Sequence, residues 1–96
     1  MKAVSAGHSY NLHNMAGNRI VGILNFMKKE NGKLLHEGTT TEEVIDVLID
    51  RITVLNDKFQ CKENLEAIDY LTKAKQALEA RTADRTRRGV EGKDKA

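Results

Sequence analysis

Apolar residues follow two different periods along this chain. Before about residue 37 they alternate with polar ones or cluster in short runs, and beyond about residue 40 they return every three or four positions. The first part, residues 7–37, reads as a small antiparallel β-meander. It opens on His8-Ser9-Tyr10-Asn11-Leu12-His13, in which Tyr10 and Leu12 share a face, and turns at Asn14-Met15-Ala16-Gly17-Asn18. Arg19–Met27 forms the next strand, and Asn31-Gly32 ahead of Lys33-Leu34-Leu35 is a tight-hairpin signal. In Arg19–Met27 the apolar residues point both ways, Ile20, Leu24 and Phe26 to one side and Val21, Ile23 and Met27 to the other. A domain this small cannot cover both faces, so the pattern predicts a homo-oligomer.

The second part, residues 38–88, reads as an antiparallel two-helix hairpin, which makes the fold class α+β. Thr40 followed by Glu43 fits a capping box, so the first helix is expected from Thr41 to about Lys58. Val44, Val47, Leu48, Arg51, Ile52 and Leu55 lie along its expected inner stripe. Phe59–Asn64 is a short connection, and a second helix is expected from about Lys62 to Thr86, with Leu65, Ile68, Leu71, Ala74, Leu78 and Arg81 on its inner side. Residues 1–96 are thus expected to form one domain, ending in a flexible tail over 89–96.

Composition narrows the functional classes. The net charge of +2 is too mild to mark a dedicated nucleic-acid binder, so the basicity is local. A single cysteine, Cys61, excludes an intramolecular disulfide framework and fits a reducing compartment. Cys61 itself reads as a small buried side chain. Met1-Lys2 is not followed by an apolar export segment, and no run approaches membrane-spanning length.

The densest chemistry lies in Arg81-Thr82-Ala83-Asp84-Arg85-Thr86-Arg87-Arg88-Gly89-Val90-Glu91-Gly92. Arg81, Arg85 and Arg88 recur at helical spacing, so three guanidinium forks can project from one face toward phosphate, with the Thr82 and Thr86 hydroxyls beside them. The bland reading is a solvated helix end favoured by the helix dipole, with Asp84 pairing Arg88. Gly89 and Gly92 end the helix. Tyr10 and Phe59 offer stacking surfaces for a nucleotide-like ligand, against ordinary packing as the alternative. His8 and His13 fall on opposite strand faces, so no metal site is read, and no cofactor is implied. No spacing assembles a nucleophile, a base and an orienting group, and the carboxylates Glu43, Asp46, Asp50 and Asp57 read as a solvated helix face. An enzyme is therefore not expected.

Several segments together resemble a known family. These are Gly38-Thr39-Thr40-Thr41-Glu42-Glu43-Val44, Leu48-Ile49-Asp50-Arg51, Lys58-Phe59-Gln60-Cys61-Lys62-Glu63-Asn64, Arg81–Arg85 and Arg88-Gly89-Val90-Glu91-Gly92. They are similar to the helical hairpin of phage Thoeris anti-defence and anti-CBASS sponge proteins, over about residues 37–93. With the preceding meander the chain looks most like the Thoeris anti-defence branch. The resemblance implies a protein that is not an enzyme and that sequesters nucleotide immune messengers in the cytoplasm of the infected bacterium. The implied ligands are cyclic ADP-ribose isomers or cyclic di- and trinucleotides, held in pockets shared between subunits of a dimer or hexamer. Arg81 and Arg85 match the family's phosphate-contacting positions, and Phe59 and Asn64 match an aromatic and an amide near the hairpin turn. Gln60 and Lys62 stand where the family has proline and arginine, which removes one guanidinium fork. The competing readings are a small nucleic-acid-binding module using the arginine face, or a module that blocks a host protein through Ile20–Met27.

Overall fold

The computed structural model describes residues 1–89, so Val90, Glu91 and Gly92 of the basic motif, and most of the expected tail, lie outside the described residues. The chain is α+β and resolves into two compact units, one over Met1–Thr40 and one beginning at Thr41.

The first unit carries five strands, β1 (Lys2–Ser5), β2 (Ser9–His13), β3 (Ile20–Asn25), β4 (Lys28–Glu30) and β5 (Lys33–His36). Its sheets have the orders β1-β2-β3 and β4-β5, with every strand pair antiparallel. Strand β1 lies ahead of the meander expected from residue 7. Lys2-Ala3-Val4-Ser5 has little strand preference of its own, and pairing with the edge of β2 decides its state. The Asn31-Gly32 turn forms as its residues require, both with positive φ, 50° and 79°. Between β2 and β3, Asn14 Oδ1 accepts from the backbone N–H groups of Asn18 and Arg19 at 3.1 and 3.2 Å.

Tyr10 and Leu12 share a face as expected, opposite Leu24 and Gly22, and Tyr10 meets Phe26 edge-on with ring centroids 5.9 Å apart. Ile20 does not join them. A register shift between Leu12 and His13 pairs His13 with Ile20 and leaves Ile20 exposed. Val21 and Ile23 on the other face are 63% and 62% exposed. The strand expected to run to Met27 ends at Asn25: Phe26 still bonds the residue ahead of β2, but from Met27 the backbone turns to a different partner. Phe26 N–H donates to the His8 carbonyl at 2.7 Å, Met27 N–H to Thr39 at 2.9 Å, and Thr39 N–H to Asn25 at 2.8 Å. Gly38 makes this lacing possible, since a Cβ there would sit 2.4 Å from the Asn25 carbonyl oxygen.

The second unit is the expected hairpin, α1 (Thr41–Lys58) and α2 (Lys62–Arg87). Its inner stripes differ from those read off the sequence. On α1 the expected Val44 and Ile52 are half-buried, but with Ile45, Ile49 and Asn56 beside them and Ile45 buried, whereas Val47, Leu48, Arg51 and Leu55 are exposed. On α2 the residues turned inward are Asn64, Ile68, Leu71, Lys75 and Leu78, whereas Leu65, Ala74 and Arg81 are exposed. Helix α1 carries two apolar stripes, and polar contacts choose between them. Asn56 Oδ1 accepts from Cys61 N–H at 3.1 Å and from Asn64 Nδ2 at 3.5 Å, which turns Asn56 toward the start of α2. Positions 52, 49 and 45 follow at helical spacing. One of the flanks is closed by Lys75 Nζ on Asp46 Oδ1 at 2.7 Å.

Candidate functional site

The arginine cluster sits where α2 outruns its partner. Helix α1 has 18 residues and α2 has 26, about 27 and 39 Å of helix. The Lys75–Asp46 contact places Thr41 level with about Ala80 in the antiparallel pair. Within this unit the last two turns of α2 therefore extend beyond the start of α1. The inward stripe of α2 continues into this overhang as Thr82 and Arg85, both half-buried. The stripe thus changes from Ile68, Leu71 and Leu78 to a hydroxyl and a guanidinium where α1 no longer covers it.

Arg81 and Arg88 are exposed, and at about 100° per residue Arg81, Arg85 and Arg88 project within about 60° of one another. Asp84 accepts from Arg87 and, at 3.0 Å, from Arg88 Nε. Arg88 is thereby partly engaged within its own helix, as the bland reading has it, while Arg81 points to solvent. Gly89 closes the helix with φ 72° and donates to the Thr86 carbonyl at 3.0 Å, and Arg88 N–H donates to Asp84 at 3.0 Å.

Phe59 and Asn64 lie at the opposite end of the hairpin. Phe59 is 80% exposed, so the packing alternative does not hold for it. Asn64 is half-buried, and its Nδ2 donates to the Phe59 carbonyl at 3.4 Å. The amide therefore holds the turn and presents the ring outward. Cys61 is a free, exposed thiol at the start of α2 rather than a buried side chain. Its backbone is extended, φ −152° and ψ 154°, which carries the thiol out of the helix pair. Lys62 spans 3.7 Å to Glu66 on the surface.

Along α2, Asn64 and Arg81 are 17 residues apart, about 25 Å. One copy of the chain therefore cannot bring both clusters onto one small ligand. Tyr10 belongs to the other unit, where its hydroxyl accepts from Gly7 N–H at 2.9 Å and its ring packs on Phe26, so its visible work is structural. The sequence reading passed over Asn56. The signal lies in its spacing from Asn64, an amide pair with seven residues between them that bracket the turn.

Among the described residues no three His, Cys, Asp or Glu side chains group as a metal site. No described helix is long and apolar enough to cross a membrane.

No protein-family model matches the chain. A segment of 56 residues, 57% of this chain, is 43% identical to the protein called Thoeris anti-defense 1 of Bacillus phage SBSphiJ7. This chain spans 39% of that protein's length. The resemblance carried by the hairpin motifs therefore has a counterpart in direct comparison: more than half of the chain is related in sequence to a phage Thoeris anti-defense protein.

Proposed function

We propose that this chain is a phage anti-defence sponge, which binds nucleotide immune messengers in the infected cell and withholds them from their effector without cleaving them. The observation that carries this reading is the overhang of α2. There the inward stripe becomes Thr82 and Arg85, with Arg81 alongside, on the continuation of a helix whose earlier turns pack against α1.

Guanidinium forks suit phosphate because they donate two parallel charge-assisted hydrogen bonds in a fixed plane. A sponge must hold its ligand tightly at low concentration, and nanomolar affinity corresponds to about −12 kcal/mol. Two arginines carried on one continuous helix lose less backbone freedom on binding than the same residues on a flexible loop. The exposed Phe59 ring supplies a stacking surface worth roughly 1–3 kcal/mol per base.

Asn64, whose amide binds the Phe59 carbonyl, and Arg81 are about 25 Å apart along α2, so a pocket using both ends of the hairpin is completed by a second copy. The exposed apolar faces, Val21 and Ile23 on the sheet and Leu48 and Leu55 on α1, give such an assembly something to bury. The ligands that fit are cyclic ADP-ribose isomers and cyclic di- or trinucleotides. The relatedness to Thoeris anti-defense 1 supports the anti-defence reading.

The test is calorimetry of the purified protein against those ligands, followed by heat release and chromatography of what was bound. Tight binding with ligand recovered intact is the expected result. Recovery of an altered ligand would make the protein an enzyme, and absence of binding to every ligand would remove the sponge reading.

A further inference from the structure

The first unit contains a cleft of about 280 Å³ that neither helix contributes to. It lies between the ends of the two sheets, which the Gly38–Thr39 segment laces together. On one side Ser9 and Asn25 stand directly opposite each other across β2 and β3, and Ser9 Oγ donates to Asn25 Oδ1 at 2.9 Å. On the other side Lys28 and His36 are the facing pair that closes the base of the β4-β5 hairpin, followed by Glu37. His8 forms the corner. Its Nδ1 is shielded from solvent and has no hydrogen-bond partner among the described residues.

A buried ring nitrogen without a partner is uncommon in folded proteins, where such atoms are nearly always satisfied. The groups around it form a mixed set. Lys28 offers an ammonium with three donors, which takes phosphate as a point charge. Glu37 offers only acceptors when ionised, so its complement is a donor such as a hydroxyl. The Ser9–Asn25 pair keeps the Asn25 amide N–H groups and a hydroxyl lone pair for further bonds. A bare phosphate ion would leave Glu37 facing like charge, and an uncharged sugar would leave Lys28 unused. The cleft falls just below the volumes usual for drug-sized ligands, about 300–1,000 Å³, which suits a small one.

We propose that this cleft binds a small phosphorylated sugar, its phosphate on Lys28 and its hydroxyls between Glu37, Asn25 and His8. This proposal does not depend on the sponge reading. It uses none of the residues that the overhang uses.

The probe is ribose 5-phosphate, titrated into the full chain and followed by amide-resolved NMR, with inorganic phosphate and free ribose as separate arms. Saturable shifts at Ser9, Asn25, Lys28, His36 and Glu37 are expected, with both partial probes binding more weakly. Lys28→Ala should weaken ribose 5-phosphate about tenfold or more, the loss expected for one hydrogen bond to a charged group. Glu37→Gln keeps the side chain's shape and should weaken ribose 5-phosphate while sparing inorganic phosphate. Arg81→Ala with Arg85→Ala should leave the titration unchanged. Shifts confined to residues 81–88, inorganic phosphate binding as tightly as ribose 5-phosphate, or full affinity in a folded Lys28→Ala or Glu37→Gln protein would each overturn the proposal.

Discussion

Gly38→Ala should cost far more than its size suggests. The added Cβ would lie 2.4 Å from the Asn25 carbonyl oxygen, 2.5 Å from the Phe26 carbonyl carbon and 2.6 Å from the Met27 nitrogen. All three are backbone atoms, so no rotamer change relieves the contact, and the strand must retreat by about 1 Å to reach ordinary separation. That retreat strains the Thr39 N–H bond to Asn25 at 2.8 Å and the Met27 N–H bond to Thr39 at 2.9 Å. Two backbone bonds at about 0.5–1.5 kcal/mol each, plus about 1–3 kcal/mol for overpacking, give about 2–6 kcal/mol. Small proteins are stable by about 5–15 kcal/mol in total, so this is a large fraction. Gly22→Ala is the matched control, because its Cβ would meet only Leu12 Cδ1 at an ordinary 3.9 Å. Amide exchange at Met27 and Thr39, read beside urea unfolding, separates the two variants. If Gly38→Ala protects those amides as well as Gly22→Ala does, the close approach is not structural and the reasoning fails.

Other outcomes follow from the helical unit. Ile45→Ala should destabilise the hairpin by about 2–4 kcal/mol in urea melts, whereas exposed Leu48→Ala should cost less than about 1 kcal/mol; equal losses would mean that the inner stripe is misassigned. The Lys75 ammonium is held above its ordinary value of 10.5, first by its hydrogen bond to Asp46 and then by the nearby acidic charges, partly offset by desolvation. Its contribution is complete below that value and disappears as pH rises through the raised one, so alkaline melts should lose stability more steeply in the wild type than in Lys75→Met. Cys61, exposed on the turn, should react with Ellman's reagent in the folded protein without denaturant. A reaction that waits for denaturant would contradict its placement.

The elements were legible because they rest on local chemistry. Thr40-Thr41-Glu42-Glu43 marks the start of α1, Asn31-Gly32 fixes a hairpin turn, and the break at Phe59–Cys61 separates the helices. The face that α1 turns inward was not legible, because Ile45-Ile49-Ile52 and Val44-Leu48-Leu55 are both apolar at helical spacing. The Asn56 contacts with Cys61 and Asn64 and the Lys75–Asp46 pair go with the first of them, and these are tertiary facts. Strand β1 is not legible for the same reason, since its pairing rather than its composition makes it a strand. The spacing of Arg81, Arg85 and Arg88 was readable, but not their place on an overhang. That depends on the register set by Lys75 and Asp46. The cleft around His8 draws on segments too far apart in sequence to be grouped from spacing.

We propose that the overhang of α2 holds a nucleotide messenger through Arg81 and Arg85. The most direct test is calorimetry of the Arg81→Ala, Arg85→Ala double variant beside the wild type, using whichever cyclic ADP-ribose isomer or cyclic oligonucleotide the wild type binds best. Loss of binding by about a hundredfold or more, with helical content and assembly size unchanged, is the predicted result. A double variant that folds, assembles and binds as tightly as the wild type would contradict it.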